Sequence, residues 1–260
     1  MGLFTPKELE YDPSVRQTGF NRYKQLISLY GADWFKLNLF TVLGALPLAT
    51  GIALGVMSSS ILVLIPAALL GGAVFGPFLA GLFDAILRGM RDDPGNWWEN
   101  YKKSWKQNWK GSLIPGALTG LIVGMYLFMG FLLYWSQVFP GWGTVALYLF
   151  SGILFFIVTT LYWPQLVLFD LKTADKFRNL ILFTSKYLWK MLGAAVLQLL
   201  WWGLTVLFAP WTLILVPFLG FWFILFVSLF RIYDQLNQEL HIEELFYPDR
   251  ANDLADEEEW

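Results

Sequence analysis

Cysteine is absent from this chain of 260 residues, and histidine occurs once. The first absence excludes disulfides, thiolate metal sites and thiol catalysis. The second leaves His241 alone in an acidic stretch beside Glu243 and Glu244, a poor basis for a metal site. Charge is also scarce, at 15% of residues against roughly 25% in a typical soluble domain. It is missing altogether from three blocks, 37–83, 111–169 and 191–230, which run 47, 59 and 40 residues. No nucleotide-binding Gly-rich loop, HExxH, GxSxG or carboxylate-dyad pattern occurs. The residues therefore offer no catalytic, cofactor or metal site, and no nucleic-acid partner is expected. The chain reads as non-enzymatic.

What fills the chain instead is apolar: 57% hydrophobic and 18% aromatic residues, with a mean hydropathy of +0.52. A membrane span needs about 20 mainly apolar residues, so each uncharged block can cross a bilayer and return. The expected fold is all-α: a polytopic membrane protein with six transmembrane helices arranged as three hairpins, plus amphipathic helices at the cytoplasmic interface. The spans fall near 37–56, 61–83, 112–136, 143–169, 191–209 and 211–230. Short breaks rich in Ser, Gly or Pro separate each pair, at 57–60, 136–141 and 209–211. Residues 1–248 are expected to form one integral membrane domain, followed by an acidic tail, 249–260, with six acids and one base. Such a tail is solvated, folds back on basic loops or docks on a basic partner. No continuous apolar leader is visible in the first 30 residues. All 18 Lys and Arg lie outside the spans on one side, and retained cytoplasmic loops are rich in these residues. Both termini are therefore expected in the cytoplasm.

Each hairpin is preceded by an aromatic–lysine segment, ending at Trp34-Phe35-Lys36, Trp109-Lys110 and Trp189-Lys190. The recurrence fits a weak threefold repeat, or the independent preference of Trp and Lys for membrane interfaces. In the middle segment, Trp97, Tyr101, Trp105 and Trp109 recur every fourth residue, joined by Trp98. On a helix they cover an arc of about 120°, with Lys102, Lys103, Lys106 and Lys110 on the opposite arc. This pattern describes a helix lying in the interface, rings in the headgroups and lysines toward anionic lipid at the cytoplasmic face. Packing of the rings on the end of the bundle fits it equally.

The second span carries Ile65-Pro66, Gly71-Gly72 and Gly76-Pro77. A Gly-Pro break can expose backbone carbonyls to a ligand at membrane depth; alternatively, the proline kinks the helix and the glycines allow close packing. Asp84 follows, with Arg88 one turn on, spaced as an i,i+4 ion pair. Gly71, Gly72, Gly76, Pro77, Asp84 and Arg88 together form the candidate partner or ligand site. Arg231 and Asp234 are spaced as a similar i,i+3 pair. Asn38, Gln165 and Gln198 are expected to hydrogen-bond between helices.

Several of these stretches, in order, resemble the YesL-like family of uncharacterised bacterial membrane proteins. They are Leu37-Asn38-Leu39, Leu46-Pro47-Leu48-Ala49-Thr50-Gly51, Gly76-Pro77 with the aliphatic helix into Arg88, and Trp97 to Lys110. The resemblance covers most of residues 20–130. It implies a multi-pass protein of the plasma membrane of Gram-positive-type bacteria, encoded near carbohydrate ABC importers and glycoside-degrading enzymes. It supplies no catalytic residues. The function it implies is an accessory or interaction subunit for carbohydrate uptake, with an ABC-transporter permease or another membrane protein as partner. A small-molecule transporter or channel using the second span is the alternative, and a lipid-organising role is a third reading.

Overall fold

The computed structural model describes residues 16–93 and 95–246; the acidic tail, 249–260, lies outside the described residues. Eight α-helices follow one another: α1 (Gly19–Met57), α2 (Ile61–Met90), α3 (Trp97–Ser136), α4 (Trp142–Leu168), α5 (Thr173–Lys186), α6 (Leu188–Leu207), α7 (Val216–Leu240) and α8 (Ile242–Phe246). A 3-10 turn, Trp211–Leu215, leads into α7. Six of the helical stretches are long and apolar enough to cross a membrane. The protein is thus an all-α multi-pass membrane protein, with every expected break between paired spans in place.

The helices outrun the expected spans at their charged ends. α1 and α3 hold 39 and 40 residues, about 60 Å each at 1.5 Å per residue, twice the thickness of a hydrocarbon core. The physical reason is continuity. Nothing in 20–36 or 97–110 breaks an α-helix, so the aromatic–lysine segments run straight into the spans. Of the two readings of the middle segment, its contacts fit packing of the rings on the bundle. Tyr101 packs on Gly81, and Trp105 meets Phe78, their ring centroids 6.5 Å apart. The segment continues the axis of its span and packs along α2. Asn96 starts it, its side chain accepting from the backbone N–H of Trp98 and of Glu99 at 3.0 and 3.2 Å. Only the third such segment, α5, is separated from its span by a break, at Tyr187.

α2 is the central helix, touching α1, α3, α4 and α7. It is one unbroken helix despite Pro66 and Pro77, so of the two readings of Gly76-Pro77 the structure fits close packing by the glycines, not an opening. Its small residues instead form two seams. Gly71 faces α1, where an added Cβ would fall 2.5 Å from the Leu48 Cα. Ala68, Gly72 and Gly76 interleave with Ser112, Gly116 and Gly120 of α3. A Cβ on Gly116 would meet the Gly72 carbonyl oxygen at 2.5 Å, and one on Gly120 would meet the Ala68 oxygen at the same distance. This is the small-x-x-x-small contact by which membrane helices gain close van der Waals packing. Backbone fills the space a ligand would need at Gly71, Gly72 and Gly76.

Larger side chains join the remaining helices. Trp163 of α4 stacks on Phe83 of α2 with centroids 6.1 Å apart. Trp34 of α1, 1% exposed, packs between Trp222 and Phe226 of α7 and donates to the Ala85 carbonyl of α2 at 3.2 Å. The expected interhelical amides are present. Gln198 donates to Thr160 at 2.6 Å, linking α6 to α4. Gln165 donates to the Lys176 carbonyl at 3.3 Å and accepts from Asn179 at 3.1 Å, linking α4 to α5.

Candidate functional site

Asn38 is fully buried and ties the first helix to the last. Its Nδ2 donates to the carbonyls of Val216 and Pro217 at 3.0 and 2.7 Å, and its Oδ1 accepts from the backbone N–H of Phe221 and of Trp222 at 2.9 and 3.2 Å. Two donors and two acceptor positions are all that an amide offers, and all are used. The opening turn of α7 follows a 3-10 segment and contains a proline. Its backbone groups are therefore free to take a side chain inserted into the ladder.

A polar platform closes the charged end of the bundle. It begins at the C-terminus of α2, where the last carbonyls have no partner within the helix. Arg22 of α1 donates to the Met90 carbonyl at 3.1 Å, to Gln25 at 2.9 Å and to Asp92 at 2.6 Å. Its cationic head also suits the negative end of the α2 dipole. Arg16 grips Glu243 of α8 with both terminal nitrogens, at 2.7 and 2.9 Å, the bidentate geometry that makes Arg–carboxylate pairs strong. Tyr233 donates to the same carboxylate at 3.0 Å. Arg91, 1% exposed, stacks 4.3 Å from the centroid of Phe246. The platform thus fastens α1, the α2–α3 turn, α7 and α8 together.

Burial works against the charge on both Arg16 and Glu243, but their mutual pairing prevails. The Arg16 pKa rises above its ordinary value and that of Glu243 falls below it. A depressed acid contributes stability fully above its unfolded value of 4.5, and loses it as pH falls through the lower folded value. The grip is therefore constant across neutral pH and released only in strong acid.

Asp84 and Arg88 do meet, at 2.9 Å. The structure adds a third member that the spacing did not indicate: Arg88 also binds Asp93 at 2.5 Å. Changing Asp84 to Asn is therefore expected to lower stability by only ~1 kcal/mol, because Arg88 keeps its second carboxylate. Changing Arg88 to Gln leaves buried Asp84 without its cation and Asp93 with only Arg91 at 3.8 Å, and about twice that loss should appear in thermal unfolding of the detergent-solubilised protein. An Asp84→Asn loss equal to or larger than the Arg88→Gln loss would contradict this arrangement.

Arg231 and Asp234 do not pair. The Arg231 guanidinium lies over Gly193 of α6 instead. His241 bonds Glu244 at 3.0 Å with both side chains exposed. Lys102, Lys103, Lys106 and Lys110 are all exposed. Two of them fold over neighbouring rings, Lys102 over Trp98 at 5.5 Å and Lys110 over Trp109 at 5.8 Å, so cations and aromatics share a face. No group of three or more His, Asp and Glu is placed to hold a metal ion among the described residues.

The arrangement suits mechanical joining and surface recognition. Residues 37–136 match the model of a family described as a protein of unknown function, DUF624. The match starts next to Asn38, covers α2 and ends with α3. No curated protein matches the chain, and no solved structure does.

Proposed function

We propose that this protein is a non-enzymatic accessory or interaction subunit of the membrane, working alongside carbohydrate uptake. The observation that carries the reading is the combination of a closed bundle with an exposed lysine face on α3. In the interior, glycine seams and self-satisfied amides take up the polar groups. At the charged end, the lysine face of α3 is exposed to a partner. Its resemblance to the YesL-like family supports the carbohydrate context and a bacterial plasma membrane, with an ABC-transporter permease as the partner. The absence of Lys and Arg from the three uncharged blocks and the short loops within them supports cytoplasmic termini. On that orientation a cysteine at Ser59 reacts with an impermeant reagent in whole cells and one at Ser104 does not. The transporter reading has lost the observation that prompted it, since α2 is continuous.

Affinity purification from native membranes, in mild detergent, tests the reading. The expected result is co-purification of an ABC permease, weakened when Lys102, Lys103 and Lys106 are all changed to Gln. Substrate flux through proteoliposomes containing this protein alone would overturn it.

A further inference from the structure

We propose that the cleft between α1, α6 and α7 binds one anionic phospholipid of the surrounding bilayer, its phosphate on Arg231 and an acyl chain along the two later helices. The cleft has a volume of ≈ 780 Å³, within the roughly 300–1,000 Å³ of ligand sites. Leu200 and Leu204 of α6, Ile224 and Val227 of α7 and Phe20 of α1 line it. Every lining residue is aliphatic or aromatic except Arg231, which closes one end.

Three features of Arg231 point to a ligand. It makes no hydrogen bond, ion pair or ring contact among the described residues, although the other arginines at this end of α2 and α1 are paired. Its guanidinium has a built seat, for a Cβ on Gly193 would fall 2.6 Å from Nη2 and 2.7 Å from Cζ. It also stands at the boundary of the hydrocarbon. The uncharged block 191–230 is bounded by Lys190 on α6 and Arg231 on α7, the depth at which lipid phosphates lie. The local field is positive. Lys190 is one turn from Gly193, and Lys24 rests 4.8 Å over the ring of Phe20. Asp234, exposed on the next turn of α7, is the acid on that helix nearest Arg231. A cation at this depth with no counterion in the protein takes one from the membrane, and basic sites between helices bind anionic headgroups in this way. The apolar cleft then selects a lipid over a free anion. The site is distinct from the lysine face of α3 and does not depend on the partner reading above.

The test is a titration of the full-length protein in detergent with phosphatidylglycerol and phosphatidylcholine of identical acyl chains, read as the shift in thermal unfolding. Phosphatidylglycerol is expected to bind roughly fivefold more tightly than phosphatidylcholine, the preference of about one interfacial cation. Arg231→Gln should erase that preference, and Arg231→Lys should retain most of it, which separates loss of charge from misfolding. Arg178→Gln, at an exposed arginine of α5 outside the cleft, should behave as the parent. Equal binding of the two lipids, an unchanged preference in Arg231→Gln, an equal response to inorganic phosphate, or closure of the cleft by dimerisation would each overturn the proposal.

Discussion

Replacing Asn38 by leucine is expected to destabilise the protein by about 2–4 kcal/mol. Leucine matches asparagine closely in size, so a cavity does not drive the effect. What disappears is a set of four hydrogen bonds to the opening turn of α7. Interhelical side-chain hydrogen bonds in membranes average ~0.6 kcal/mol and reach ~1.7, and the ladder of α7 recovers part of the loss by closing on itself. Asn38→Asp should do no better, because a carboxylate would face the Val216 and Pro217 carbonyls without protons to donate. Denaturant unfolding in detergent gives the magnitude. Hydrogen exchange at the Phe221 and Trp222 amides gives the place, which should lose protection in both variants. Protected amides in Asn38→Leu would show that α7 does not rely on this side chain.

Gly116→Ala should cost at least as much, by a different route. The added methyl would fall 2.5 Å from the Gly72 carbonyl oxygen and 2.6 Å from the Gly76 Cα. Both obstacles are backbone, so α2 and α3 must move apart along the whole seam. Overpacking of this kind costs about 1–3 kcal/mol when side chains can yield, and more is expected where they cannot. Gly203→Ala on α6 is the control. No atom lies within 4 Å of its added Cβ, and alanine outranks glycine in a helix by up to ~1 kcal/mol. The two variants should therefore shift the thermal midpoint in opposite directions. A neutral Gly116→Ala would disprove the close approach of the two helices.

The hairpins were legible because their signals are local. Uncharged runs, short Ser, Gly or Pro breaks and one-sided bases each report on a few neighbouring residues. The Asp84–Arg88 pair was legible for the same reason, being one helical turn long. Helix ends were not, because membrane thickness limits apolar runs but does not terminate a helix; that takes a cap or a breaker, and Tyr101 to Lys110 contains neither. The second span left two readings open, a break or a close-packed helix, and α2 absorbs Pro66 and Pro77 within one helix. The charged platform was invisible for a third reason. Arg22 and Asp92 are 70 residues apart, and Arg16 and Glu243 are 227 apart. Only the packing of four helices brings them together. No local pattern marks such a site, since Glu243 stands in the first turn of α8 and Asp92 beyond the end of α2.

Asn38 also sets an order of events during synthesis. Its first partner lies 178 residues downstream, and ribosomes add about 5–20 residues per second. The amide is therefore made roughly 10–35 s before the carbonyls it will hold. Through that interval the first two hairpins are threaded into the bilayer with a polar hand extended and nothing to grasp. The last hairpin arrives as the latch that completes them, and a chain interrupted before Val216 stays open at that position however well its earlier helices have packed.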